Sequence, residues 1–193
     1  MAQLKKVKVK VTEKKSVKKS NLSELFEKNV RPLSHAIPLN VDNLQVASID
    51  ITGRRLSFSF LKDNRSIDIE FYLTCVYEDE EFIEYTSKYL NYLINIRNFL
   101  QEYLTFYQPS TNLHTCIKGN IENETLLYCF VSNLGDYHKL AIRINYDFLE
   151  LTLITASLIK LQQLLNEAIA HLVSELKRLN IYQYIQSKID TNQ

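Results

Sequence analysis

Apolar residues in this chain recur first at every second position and then at alternating steps of three and four, and the whole cycle occurs twice. Few folds accommodate that pattern. Ile49 and Ile51 flank Asp50; Leu56, Phe58 and Phe60 alternate with Ser57 and Ser59; Ile67, Ile69, Phe71 and Leu73 alternate with Asp68, Glu70 and Tyr72. A period of two suits strands with one buried and one wet face. Gly53 and Asp63-Asn64 supply tight turns, so residues 44–73 are expected to form a three-stranded antiparallel meander. The text then becomes helical over Asp79 to Tyr107. Tyr85, Tyr89, Tyr92, Ile96, Phe99, Tyr103 and Phe106 follow one helix stripe, and Leu90, Leu93, Leu100 and Leu104 widen it, as expected of a helix covered on more than one side. Glu78 to Glu81 sit at its start, where the helix dipole favours acids.

The second cycle predicts strands at His114 to Ile121, Leu126 to Ser132 and Lys139 to Tyr146, with a fourth through Leu149, Leu151 and Leu153. The turns fall at Asn120 to Asn123 and Asn133 to Asp136. Ser157 is the expected cap of a last helix running to Ile185, with Leu158, Leu161, Leu165, Ala168, Leu172, Leu176 and Leu179 as its stripe. Self-association through that stripe competes with burial on the chain's own sheet, and burial is the simpler expectation. The result is one α+β domain over residues 44–185, built of two repeats of pattern, 44–107 and 113–185. Ahead of it, residues 20–43 are expected to hold a short helix, capped by Ser20 or Asn21, and an extended connector between Pro32 and Pro38. Residues 186–193 form a polar C-terminal end.

Charge separates the remaining segment from this body. Residues 1–19 carry eight lysines, Lys5, Lys6, Lys8, Lys10, Lys14, Lys15, Lys18 and Lys19, against Glu13. Subtracting that +7 from the whole chain's +1 leaves −6 over residues 20–193. With too little apolar surface to offset the entropy of ordering, the segment is expected to be a disordered basic tail. A basic arm on an acidic body directs polyanions to the arm first.

Several functions are excluded or disfavoured. The only glycines, Gly53, Gly119 and Gly135, are isolated, so neither a Walker loop nor a dinucleotide-binding turn can be built. No GxSxG, HExxH or Cys-His signature occurs, and Asp68 and Glu70 lack a partner that would shift a pKa; the chain is expected not to be an enzyme, with no cofactor and no small-molecule substrate. Cys75, Cys116 and Cys129 are expected to be buried reduced thiols. His114, Cys116, Cys129 and His138 could offer four ligands, but CxxC spacing is missing and no metal is expected, the histidines being placed at the surface. His171, beside the last stripe, is expected to be partly buried or to make a surface contact. Without a long apolar stretch or an h-region, no membrane association is expected, and the chain is placed inside the cell, in cytoplasm or nucleus.

A sheet that binds single strands needs ring faces for bases and cations for phosphates. The candidates are Arg54 and Arg55 at the first hairpin, Lys62 and Arg65 at the second turn, and Tyr72, Lys139 and Arg143 on strands, together with the tail lysines. The meander-then-helix unit used twice, and the stretch Lys139 to Ala170 in which LAIRINYDFLELTL leads into an amphipathic helix, resemble the Whirly family and the single-domain transcriptional coactivators that share its fold. That resemblance implies binding of single-stranded DNA or RNA across sheets packed on long helices, and oligomers formed through helices. The rival expectation is an interaction or assembly subunit that uses its two long helices, with the tail as an adaptor.

Overall fold

The computed structural model describes residues 19–40, 45–106, 115–121, 125–134, 137–144 and 147–190. Strands β1 (Leu33–Pro38), β2 (Gln45–Ile51), β3 (Arg55–Lys62) and β4 (Arg65–Tyr72) form one antiparallel sheet in chain order. Strands β5 (Thr115–Ile121), β6 (Thr125–Leu134), β7 (Tyr137–Ile144) and β8 (Asp147–Ile154) form the second in the same way. Helix α1 (Asn21–Asn29) precedes the first sheet, and α2 (Asp79–Phe106) follows it. Helices α3 (Thr155–Arg178) and α4 (Tyr182–Asp190) follow the second. The fold is α+β, with a meander and a long helix used twice.

Both sheets turn one face toward the same pair of helices. The cross-strand rows Ile49–Phe58–Ile69 and Ala47–Phe60–Ile67 are buried, as are Leu140, Ile142, Leu149, Leu151 and Leu153 of the second sheet. α2 touches strands of both sheets and α3, and α3 touches β1, β2 and β8. This shared position explains why α2 is apolar around most of its circumference. Its tyrosines then need partners for their hydroxyls. Tyr89 donates to the Ser57 carbonyl at 2.7 Å, and burial pushes its phenol well above the usual range.

Several expectations change. The connector between Pro32 and Pro38 is extended, but it is β1, paired with β2 from Leu33↔Ile51 to Pro38↔Val46, so the first meander has four strands. Pro38 is tolerated because β1 is a sheet edge. Ser157 does not cap the last helix. The helix starts at Thr155 after Ile154, and Ser157 is buried inside it. That helix also stops before Ile185. Leu179 and Asn180 turn the chain, Asn180 at φ 58°, and α4 carries on into the segment expected to be a polar end. Cys75 is exposed on the short 3-10 turn Leu73–Cys75. Of the tail, residues 1–18 lie outside the described residues, whereas Lys19 belongs to the body, its ammonium paired with Glu27. Ser20 caps α1, accepting from the Ser23 N–H. Gly53 is needed for more than its turn: an added Cβ would stand 2.6 Å from the Glu27 carbonyl oxygen of α1.

A polar clamp holds the start of the first sheet on α3. The Glu175 side chain is 0% exposed and accepts from the Arg31 backbone N–H at 2.9 Å, from Arg31 Nε at 2.7 Å and from an Arg178 guanidinium nitrogen at 2.5 Å. Arg178 also donates to the Asn29 carbonyl, His171 Nε2 to the Arg31 carbonyl, and His35 to Glu167. The Arg178 and Arg31 hydrogen bonds bring the Glu175 carboxyl down to about 2 against its burial. Because the folded-state value is depressed, the stabilisation is fully present above the ordinary carboxyl range and is lost as pH falls from about 4.5 toward 2. Glu175→Gln should therefore cost on the order of 2–3 kcal/mol at neutral pH and flatten the acid limb of stability. Urea unfolding at pH 7 and pH 3 measures both effects.

Candidate nucleic-acid interface

With one face of each sheet on the helices, the opposite faces are the surfaces open to a ligand, and they differ in kind. The first sheet's outer face is lined by small and acidic residues. Its cross-strand rows are Ser34–Asp50–Ser57–Glu70 and Ala36–Ser48–Ser59–Asp68. Arg55 lies on this face but is held between Asp50, whose hydrogen bond raises its pKa, and Glu70 at 3.5 Å. Tyr72 is 55% exposed, as the alternation requires, yet its hydroxyl donates to Glu70 at 2.6 Å. That bond raises the phenol pKa. Arg54 is paired with Glu27 at 3.1 Å at the β2–β3 turn. The cations expected on this sheet are thus matched by carboxylates.

Lys62 and Arg65 face each other at the far end of β3 and β4, on the parity of the buried residues and not that of Tyr72. They mark the junction of the two sheets, where β4 runs against β7 and β8. There Lys62 donates to the Glu150 carbonyl of β8 at 2.7 Å. Lys139 of β7 pairs with the Glu150 carboxylate at 2.9 Å. Two candidates far apart in sequence meet on one residue.

The second sheet's outer face is aromatic and basic. Along β7 the outward positions are Tyr137, Lys139, Ala141 and Arg143, and across from them on β8 stand Ile154, Thr152, Glu150 and Phe148. Tyr137 is 54% exposed and Phe148 53%. The register sets Tyr128 of β6 opposite Arg143, and Lys118 of β5 opposite Tyr128. The exposed rings of Tyr137 and Phe148 share this face with Lys139 and Arg143, the combination that unpaired bases and phosphates require. The sequence reading found Lys139 and Arg143 but missed Tyr137 and Phe148. The signal was present, since Tyr137 shares their period-two parity and Phe148 is the polar-side member of the alternating run Phe148 to Leu153. Of the tail candidates, Lys5, Lys6, Lys8, Lys10, Lys14, Lys15 and Lys18 lie outside the described residues.

No protein family model matches the sequence, and no curated protein matches it. Among solved structures the chain is similar to one described as "Structure of the plant transcriptional regulator PBF-2", a Whirly protein, at 8% identity and a TM-score of 0.38. The match covers 80% of this chain and 89% of that one. It is a weak resemblance, at the level of fold alone. Among the described residues no helix is long and apolar enough to cross a membrane, and no group of three or more His, Cys, Asp or Glu could hold a metal.

His138, expected at the surface, is 0% exposed on the helix side of β7. Its Nδ1 lies 2.8 Å from the Tyr103 hydroxyl of α2, and its Nε2 lies 2.8 Å from Thr155, the first residue of α3. The neutral ring satisfies both contacts, one nitrogen donating and the other accepting. Burial lowers its pKa. A charge there would also face the positive end of α3. The residue thus anchors both helices beneath Tyr137 and Lys139. With the folded-state pKa depressed, the unfolded chain takes up the proton first, so stability falls as pH drops below about 6.5. Thermal unfolding between pH 7 and pH 5 should show this loss, and His138→Leu should remove it while lowering stability throughout. A slope that persists in the variant would assign it to other histidines.

Proposed function

We propose that this chain is a non-enzymatic, intracellular protein that binds single-stranded DNA or RNA across the outer face of its second sheet. One observation carries the reading: Tyr137 and Phe148 are exposed on the same sheet face as Lys139 and Arg143. Bases stack on the two rings, and the lysine and arginine meet the phosphates between them. A duplex hides its base faces, so unpaired strands are preferred. The tail lysines add a sequence-independent term that weakens with salt, since each phosphate contact releases counterions. Self-association through the last stripe is disfavoured, because Leu158, Leu161, Leu165, Ala168, Leu172 and Leu176 are buried within the chain.

Fluorescence anisotropy with a mixed-sequence single strand, the matching duplex and the matching RNA tests this reading at two salt concentrations. Tyr137→Ala and Phe148→Ala should each weaken single-strand binding by about 1–3 kcal/mol, the usual value of one stacked base. Arg143→Ala should mainly flatten the salt slope. Tyr72→Ala should leave binding unchanged, because Glu70 and Asp68 on its own face repel phosphate. Removing residues 1–18 should weaken binding and leave a residual, less salt-dependent affinity. Silence of both aromatic variants, with all binding lost on removing the tail, would show that the tail alone binds.

A further inference from the structure

We infer that Glu150 reads bases, selecting those that carry an exocyclic amino group over uracil and thymine. The inference rests on the reading of the second sheet as a single-strand site and concerns what that site discriminates. Tyr137 and Phe148 mark the two ends of the face. Phe148 stands opposite Arg143, so a strand laid along β7 travels roughly 20 Å from one ring to the other. Midway between them on β7 lies Ala141. Ala141 is almost fully buried and offers only a methyl group, and the residue across from it is Glu150. A base between the two stacked ends therefore meets the part-exposed Glu150 carboxylate across from Ala141.

Glu150 is held at two points and stays part-exposed. Its carbonyl accepts from Lys62, reaching over from the first sheet, and one carboxylate oxygen accepts from Lys139. The Glu150 and Lys139 side chains are each 39% exposed, so the pair lies at the surface with the carboxylate within reach of a ligand. A phosphate entering the face competes for Lys139, and the carboxylate it releases needs another donor.

A carboxylate accepts and cannot donate, so it discriminates by what the base edge offers. Cytosine and adenine present an amino group, and guanine presents an amino group beside a ring N–H. Uracil and thymine present a single N–H flanked by two carbonyl oxygens, which a carboxylate approaches only against repulsion. An otherwise unfavourable negative charge on a phosphate-binding surface thereby acquires a role, since it rejects the wrong base as well as accepting the right one.

The test compares binding of the full chain to short oligo-dC and oligo-dU at neutral pH and fixed salt, two strands that differ at the pyrimidine edge. The wild-type chain should prefer oligo-dC by about tenfold, the scale of one good base-edge contact. Glu150→Gln should bring the two strands within about twofold, mainly by strengthening oligo-dU, because the amide both donates and accepts and carries no charge. Equal binding of the two strands by the wild-type chain, or a preference unchanged in Glu150→Gln, overturns the role of Glu150 while leaving the single-strand site in place. Failure of both strands and of a mixed-sequence strand to bind overturns the site itself, and the inference with it.

Discussion

Two sheets share one pair of helices, and most other features follow from that sharing. A single meander with one buried face needs only one helix stripe, whereas α2 and α3 must each present apolar surface to each other and to strands of both sheets. This accounts for the width of the apolar surface on α2 and for the burial of Tyr89 and Tyr103, whose hydroxyls are satisfied by the Ser57 carbonyl and by His138. It also accounts for the clamp at Glu175. A six-residue edge strand such as β1 gains little from its own pairing, so its approach to α3 is fixed by a buried carboxylate gripping Arg31. Removing an unpaired charge of that kind from water would be costly. The two arginines and the backbone N–H make it tolerable.

Sharing the helices also decides where function can lie. Each sheet has one face left, and the charge on that face, more than the charge of the whole molecule, governs what it attracts. The body's −6 is unevenly placed, with Glu78, Asp79, Glu80, Glu81 and Glu84 gathered at the start of α2 and Asp50, Asp68 and Glu70 on the first sheet's outer face. Screening in physiological salt acts over about 8 Å, so charges on separate faces act nearly independently. An acidic body and a basic, aromatic second sheet are therefore compatible.

The period of the apolar residues was enough to read the class, the two meanders and both long helices, because burial on one face writes itself directly into sequence. Most of the missed features appear only once strands are paired, and one is a local backbone choice. β1 lacks a clear alternation, and its strand character comes from β2. The break at Leu179 and Asn180 has no Gly or Pro to announce it, and Asn180 adopts a positive φ that an amide side chain tolerates. Arg55 looks like a free cation until the hairpin register brings Asp50 and Glu70 to it. Tyr72 was correctly placed facing outward, but an exposed ring has a different meaning among acids than among lysines. Tyr137 and Phe148 became visible as a pair only once β7 and β8 were aligned.

The junction of the sheets joins these themes. β8 is an edge strand, and an edge left bare offers unpaired backbone groups to other chains. Here β4 runs beside it, and the Lys62 ammonium takes the Glu150 carbonyl. That contact ties the second sheet's outer face to the first sheet and fixes the backbone of Glu150, whose carboxylate pairs with Lys139 in the free chain. A surface whose side chains are already oriented gives up less entropy when it binds, so more of each contact appears as affinity or selectivity. The lysine-rich segment has the opposite character: its strength is charge density, which acts at a distance and is blind to base identity. On the proposed reading, a fixed face that distinguishes bases and a charged segment that does not would be complementary parts, the second raising the encounter rate and the first deciding what is retained.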